Sequence, residues 1–589
     1  MDMINSINDI VWGTPALIMM LSAGILFTAG TGFFQFRHPI HWLKCTVFSS
    51  SKNSSSRNSL SQFEAMSSAL AATLGTGNIA GVSAALASGG AGAVFWMWIS
   101  ALFGTMTGFA ENVLGIYYRR CDRNGKWHGG AMCYIEGGLS EKRYTRLLAK
   151  PLAVLFAVLC VLSAFGMGNM VQMNSASGAL QSSFSVAPII TGILLAVAEA
   201  FIIFGGAKKT GSVTAKLVPF MSGFYILGSL WLIAENMTRL PDVFGTIFEG
   251  AFGIDAVGGG INGYLIKQAV SIGFRRGVFS NEAGLGTSVA AHAAAEVTEP
   301  CVQGMWSIFE VFFDTIIMCS LTAVVLLAAP CTAPTAEEAF ASISTQPQYF
   351  RLTDSDSIIT SGTPLISTHS PTEVISFRTV YKTGFSMGIS HSGNTFSNLM
   401  SVQGIQRTDS TGRPEFLDAN KTVPLIDSVI ISEVNGAQLA AYAFSQSFGD
   451  AAGMLLAAAV AMFAFSTVLG WSSFGSQAAV YIFGDKAEKP FKCMFITVTA
   501  AGTVVDFSAA WSISDMINGL MAIPNLIALF LLSPKVFEIT RNYCLRTFRK
   551  KSIKPMLSKY TINPKHHITL SDKTAINDKA APDINQKRL

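Results

Sequence analysis

Apolar runs separated by short polar loops recur along most of the chain. Nine of them approach the roughly twenty residues that a helix needs to cross a hydrocarbon layer: 14–36, 94–117, 152–171, 186–204, 213–234, 302–329, 451–469, 494–511 and 516–532. Two further stretches, 62–89 and 263–291, have membrane length but are interrupted by Gly, Asn and Ser. Counting both predicts eleven spans. Between the eighth and ninth spans the pattern changes. Residues 331–446 are polar and rich in Ser and Thr, with alternating runs such as EVISFRTVY and VPLIDSVIISEV. They predict a small β-rich domain outside the membrane. Residues 541–589 are basic and polar, and read as a disordered tail. The predicted organisation is a transmembrane core over 1–330 and 447–540, the insertion at 331–446 and the tail at 541–589.

Composition agrees with an all-α polytopic membrane protein surrounded by lipid. Charged residues make up 13% of the 589 residues, against about 25% in soluble domains, and half of the chain is hydrophobic. The net charge of +5 gathers in loops and in the tail, so it speaks of topology and not of nucleic acid. Nine cysteines are scattered without paired spacing, which predicts neither a disulfide framework nor a metal centre. The first basic residue, Arg37, follows the first apolar run, so no cleaved signal is expected.

Charge asymmetry orients the spans. Basic clusters at Arg37–Arg57, Arg119–Lys150, Lys208–Lys216 and Lys486–Lys492, with the tail, fall on one side when both interrupted stretches are counted. The loop 235–262 on the other side is mostly acidic, with Glu235, Asp242, Glu249 and Asp255 against Arg239. The positive-inside rule then places the N-terminus and the insertion outside and the C-terminus in the cytoplasm, as in a bacterial inner membrane.

The interrupted stretches carry the candidate chemistry. The first contains LGTGNIAGV, which fits the G-x-G-x-x-G/A dinucleotide fingerprint as text. That motif needs a preceding strand and an acid about 20 residues on. Here an Ala-rich, helix-forming run precedes it, and no acid follows until Glu111. The second contains SNEAGLG. Asn78 precedes Glu111 by 33 residues, and Asn281 precedes Asp314 by the same 33. Paired Gly-interrupted segments at corresponding positions of two halves point to an inverted-repeat transporter. Five spans per repeat, an odd number, force the halves into opposite orientations. LGTGNIAGV then reads as the unwound middle of a membrane helix. Unwinding frees N–H groups for an anion such as an amino-acid carboxylate, and carbonyls for a cation. The amides of Gly75, Thr76 and Gly77, with the Asn78 side chain, are the candidate carboxylate site. Gly77 and Gly81 also form GxxxG, which would serve as a helix-packing face. In the second break, Phe279, Ser280 and Asn281 are candidates, Phe279 being either a wall for a small side chain or core. Acids within spans, here Glu111 and Asp314, are functional candidates by default, though helix capping or pairing with a base would equally place them there. No nucleophile–base or metal-ligand constellation appears, so neither an enzyme nor a cofactor is expected.

Seven words in order, TLGTGNIAGVSAAL, FWMWISALFGTMTGFAE, GMGNMVQMNS, RRGVFSNEAGLGTS, QGMWSIFEVFFDT, FAFSTVLGWSSFG and MAIPNLIAL, resemble the sodium:alanine (alanine or glycine:cation) symporter family. The resemblance runs from about residue 13 to 540 outside the insertion. It implies a LeuT-type five-plus-five inverted repeat with one extra N-terminal helix, and sodium-coupled uptake of small neutral amino acids: alanine, glycine, D-alanine or serine. It places Gln172 and Trp471 beside the substrate. Read from the residues alone, Gln172 could equally make an interhelical hydrogen bond, and Trp471 could anchor at the interface. It also implies a sodium ion between the first broken helix and the ninth span. There the Ala71 and Leu74 carbonyls lose their helical partners, and Ser466 and Thr467 offer adjacent hydroxyls beside the Phe463 carbonyl. Those hydroxyls could instead bond back to their own helix. Three features depart from the family. Thr107-Gly108-Phe109 stands where TKF is usual, Ala131 and Cys133 stand where Pro and Tyr are usual, and the insertion is long. A proton-coupled transporter of the same substrates, a channel, and a non-transporting amino-acid sensor on a transporter core remain the alternatives. Uphill accumulation separates a symporter from a channel, and flux separates it from a sensor.

Overall fold

The computed structural model describes residues 7–8, 11–48, 60–121, 127–252, 259–328, 375–383, 398–408, 414–418, 450–505 and 507–559. Six helices are long and apolar enough to cross a membrane: Gly92–Tyr118, Arg146–Gln181, Gly206–Glu235, Pro300–Ala328, Gly453–Phe483 and Trp511–Thr547. Gln62–Thr73 and Thr76–Leu86 make a seventh if the pair, bent by 57°, is one span. Thr14–Gly30 and Pro188–Ile203 are shorter apolar helices, and Gly259–Asn281 and Glu488–Gly502 complete the series. Each of the eleven expected segments therefore carries a helix. Phe201, Leu194, Leu227 and Trp231 stand exposed on the outer helices, the surface that lipid would cover. Water cannot drive helices together in lipid, so close approach of small residues matters more. A Cβ on Gly470 would meet Ala72 at 2.6 Å, and one on Gly273 would meet the Ala93 carbonyl at 2.4 Å. The first contact seats the Asp450–Phe483 helix on the first broken helix.

Several boundaries differ from the sequence reading. The run 152–171 does not end a span, because Gly166–Met170 forms a π-helical turn that carries the helix on to Phe184. The run 451–469 extends to Phe483, since Ser472 and Ser476 are buried within the helix. The run 494–511 is cut, as one helix ends at Gly502 and the next begins at Phe507. The tail expected to be disordered from 541 is a correction: the last helix runs to Thr547 and the chain is placed through Lys559. Its charges find partners there. Arg546 holds Glu299 at 2.7 Å, Lys559 holds Glu141 at 2.9 Å, and the Ser558 amide donates to the Thr298 carbonyl. Residues 560–589 lie outside the described residues.

Within the insertion, Ile375–Thr383, Asn398–Thr408 and Pro414–Asp418 form an antiparallel sheet in chain order, with Ile375 opposite Gln406 and Gly404 opposite Asp418. The run VPLIDSVIISEV falls outside the described residues.

The two broken helices position the site. Gln62–Thr73 opens on a capping box between Ser61 and Glu64. It stops at Leu74, makes a 3-10 turn over Thr76–Asn78, and resumes as Ala80–Gly89. The second helix, Gly259–Asn281, ends in a non-helical segment before the short Val289–His292 turn. Glu282, Gly284 and Gly286 adopt left-handed φ values of 56°, 94° and 74° there, a region that glycine enters freely and glutamate does not. The Leu60 amide donates to the Ala294 carbonyl, and the Glu296 amide donates back to Leu60. The chain entering the first broken helix thus pairs with the chain leaving the second, so the two run in opposite directions.

Candidate functional site

The breaks are held reciprocally by acids of the spans that follow them. Asp314, in the span after the second break, receives the Asn78 amide nitrogen of the first break at 2.8 Å and the Ser280 hydroxyl at 2.7 Å. Glu111, in the span after the first break, receives the Asn525 amide at 2.6 Å and backbone N–H groups of Gly284 and Gly286 in the second break. Each half therefore supplies the carboxyl group that anchors the other half's unwound segment. This exchange, with the opposed chain directions and one helix, Thr14–Gly30, ahead of the repeats, makes the core a five-plus-five inverted repeat. Both acids are fully enclosed. Sequence reading singled them out as intramembrane acids without foreseeing the exchange.

The donors of the first break converge on side-chain oxygens. The Thr76 amide and hydroxyl both donate to Gln172 Oε1 at 3.0 Å, and the Gly75 amide donates to Asn78 Oδ1 at 3.1 Å. These two oxygens occupy the N–H groups that unwinding of the first break frees. Gly75 has no room to spare. A Cβ there would lie 2.5 Å from Thr467 Oγ1 and 2.9 Å from Gln172 Oε1. The Asn78 nitrogen turns away from this cluster to Asp314 and Ser280. Phe279 reaches the same place from the second break, its ring 3.7 Å from a Cβ built on Gly77. It stacks on Trp511 with ring centroids 5.3 Å apart, and Arg276 lies over both rings. Asn281 points elsewhere, onto the Thr315 hydroxyl and the Ala283 amide.

Trp471 is fully buried, which excludes an anchor at the interface. Its indole packs against Gly168 and donates to Glu282 Oε1 at 3.1 Å. Gln172 lies one turn beyond Gly168 and donates to the Met167 carbonyl at 3.2 Å. Gly108, where the resemblance expects a lysine, faces Ser307 so closely that a Cβ would fall 2.6 Å from its hydroxyl.

The cation candidates come together in one place. Ser466 Oγ lies 3.2 Å from the Ala71 carbonyl, 3.4 Å from that of Leu74 and 2.9 Å from that of Phe463. Thr467 Oγ1 lies 3.2 Å from Ala71 O and 3.3 Å from Leu74 O. Five oxygens from two helices face one another, with only two hydroxyl hydrogens between them. Ser466 does bond back to its own helix at Phe463, but both hydroxyls also reach across to the first broken helix.

Sequence reading missed Glu282, Trp511, Arg276 and Glu199. Glu282 stands inside SNEAGLG, and Glu199 is an acid within a predicted span, the signal that had picked out Glu111 and Asp314. Arg276 is likewise a charge within a predicted span, whereas Trp511 carries no such signal, because its stacking on Phe279 exists only in three dimensions.

A model of the sodium:alanine symporter family matches residues 1–352 and 421–558. The unmatched residues are 353–420, within the insertion, and 559–589, at the end of the tail. The chain is 35% identical to the sodium/alanine symporter AgcS of Methanococcus maripaludis, over 92% of this chain and 96% of that one. It is 29% identical to the amino-acid carrier protein AlsT of Bacillus subtilis, over 94% of each. Among solved structures, MhsT in complex with L-phenylalanine is 12% identical, with 83% of this chain and 99% of that one covered and a TM-score of 0.42.

Proposed function

The chain belongs to the sodium:alanine symporter family, and from that membership we propose that it is a secondary active symporter that takes up small neutral amino acids with sodium. The observation that carries this reading is the convergence of the Ala71, Leu74 and Phe463 carbonyls with the Ser466 and Thr467 hydroxyls. An ion bound at about 2.4 Å from each ligand, as hard cations of sodium's size are, leaves neighbouring oxygens about 3.4 Å apart. The separations of 3.2–3.4 Å across the two helices are compatible with that spacing. Neutral dipoles suffice for a monovalent cation.

The amino acid binds beside the ion. Its carboxylate displaces Gln172 Oε1 and Asn78 Oδ1 from the N–H groups of Thr76 and Gly75, with Gly77 letting it approach the backbone. Gln172 and Asn78 complete the polar shell. Its ammonium faces the negative side of the site, Asp314 and the unwound second break around Ser280 and Asn281. Phe279 and Trp471 limit the side chain to a small one. A Cβ on Gly75 would meet both Thr467 and Gln172, so ion and substrate share one unwound segment. Ligands that favour the same conformation of a shared element bind cooperatively. That is the physical basis of coupling here.

The protein is an integral membrane protein. The distribution of basic loops supports an N-terminus and insertion outside and a C-terminus within, in the cytoplasmic membrane. Counterflow of labelled L-alanine, D-alanine and glycine in proteoliposomes, with and without sodium, tests the reading. Sodium-dependent exchange of at least one of them supports it, and exchange indifferent to sodium refutes the coupling.

A further inference from the structure

Away from the breaks, one carboxyl group sits in the membrane core with too few partners for its charge. Glu199 lies on Pro188–Ile203 and is fully buried. Its Oε2 is 2.5 Å from the Thr499 hydroxyl, and its Oε1 has no hydrogen-bond partner. Among the described residues no Lys, Arg or His forms an ion pair with it. The helices packed against its own are Val171–Phe184, Gly206–Glu235, Asp450–Phe483 and Glu488–Gly502. The first has no titratable side chain. On the others, Lys208 is on Glu64, Lys209 on the Phe201 carbonyl and Lys492 on Glu488. Tyr225 is on Thr322, Tyr481 is on Glu136, and Trp231 donates to Glu235. Lys216, Lys489 and Cys493 are exposed. An ionised carboxylate with one neutral donor is costly in a membrane core, and such groups mark ion or proton sites.

The geometry selects the cation. A spacing of 2.5 Å is that of two oxygens sharing a hydrogen. A metal ion held by both would part them to about 3 Å or more. The hydrogens can also be counted. Thr499 lies 3.1 Å from Asn169 Oδ1 and 2.9 Å from Asn169 Nδ2, and Nδ2 also donates to the Phe495 carbonyl at 2.8 Å. With a proton on Glu199, the carboxyl O–H donates to Thr499, and the Thr499 hydrogen is released to Asn169 Oδ1, since the Phe495 carbonyl, also 3.1 Å from the hydroxyl, already accepts from Asn169 Nδ2. Without it, the Thr499 hydrogen turns to Glu199, and Asn169 Oδ1 loses its donor. Asn169 therefore senses the proton, and it sits in the π-helical turn Gly166–Met170. Such turns recur at functional sites. The same turn supplies the Met167 carbonyl that orients Gln172, whose Oε1 holds Thr76 at the first break.

We propose that Glu199 is a proton-binding site linked, through Thr499, Asn169 and the π-turn, to the amino-acid site. This rests on the symport reading above and adds a second cation to it. The proton completes the hydrogen bonding of Asn169 and so fixes the π-turn whose Met167 carbonyl keeps Gln172 oriented for the polar shell of the bound amino acid; amino-acid binding therefore tightens as pH falls, and by reciprocity binding takes up a proton.

The test uses the purified full chain at saturating sodium, with alanine affinity measured between about pH 5.5 and 8.5. The wild type should weaken with rising pH by up to about tenfold per unit, the limit for one linked proton. Glu199→Gln keeps a partner for Thr499 but exchanges no proton, and its affinity should be flat across the range. Thr499→Val retains the carboxyl but cuts the relay, and should also lose the dependence. Alanine added to weakly buffered wild-type protein should raise the pH of the solution, a readout that needs no variant to fold. Alanine binding that ignores pH in the wild type, or a Glu199→Gln variant with the wild-type profile, overturns the proton site alone. No binding of alanine, glycine or serine at any pH overturns the symport reading with it.

Discussion

Replacing Gly75 by alanine probes the point where the proposed ion and substrate sites touch. Gly75 has φ −123° and ψ −157°, an extended conformation open to any residue, so the cost of a Cβ is steric alone. That Cβ would lie 2.5 Å from Thr467 Oγ1 and 2.9 Å from Gln172 Oε1. Both neighbours are buried, and Thr467 is β-branched within a helix, where its χ1 choices are few. A shift of Thr467 withdraws its hydroxyl from Ala71 O and Leu74 O. A shift of Gln172 breaks both of its bonds to Thr76. Overpacking of this kind costs about 1–3 kcal/mol. At about 1.4 kcal/mol per tenfold, that is roughly a 5- to 150-fold rise in the sodium needed for half-maximal alanine uptake in proteoliposomes. Adding Thr467→Ala removes the closer of the two clashing oxygens along with the ligand, so the cost in the double variant should be less than the sum of the two single costs. An unchanged sodium dependence in Gly75→Ala, or full additivity with Thr467→Ala, would refute the shared site.

Further expectations follow from the same geometry. Ser466→Ala with Thr467→Ala should raise the sodium requirement far more than it weakens alanine binding at saturating sodium, and an unaltered sodium curve would put the ion elsewhere. Asn78→Ala should abolish alanine binding in a protein that still purifies as a folded species, whereas full transport would remove Asn78 from the site. Gly168→Ala places a Cβ 2.4 Å from Trp471 Cγ and should cost about 1–3 kcal/mol of stability by thermal unfolding. Gly178→Ala, with no atom within 4 Å of its Cβ, should cost none, and equal stability of the two variants would contradict the packing described.

The parts of the molecule that could be read from the sequence are those in which local chemistry repeats. Two Gly-interrupted spans, each followed after 33 residues by an acid, predict two opposed breaks, and the structure has them. The exchange of anchors is not legible, because which acid reaches which break depends on how the halves interlock. Adjacent hydroxyls at Ser466 and Thr467 point to oxygen chemistry, yet their approach to Ala71 and Leu74 requires Gly470 to seat against Ala72. The π-helical turns at Gly166–Met170 and Phe312–Cys319 leave no mark on an apolar run, so the span holding Gln172 reads too short. The end of the last helix is hidden from the sequence for another reason. Basic residues such as Arg546 and Lys559 look like a solvated tail until Glu299 and Glu141 are brought beside them.

The central claim is that amino acid and sodium move together through a segment shared by both sites. The most direct measurement follows labelled sodium in proteoliposomes at equal sodium inside and outside while an inward alanine gradient is imposed. Alanine should drive net sodium entry in the wild type, and Ser466→Ala with Thr467→Ala should abolish it. Alanine entry with no accompanying sodium flux in the wild type would contradict it.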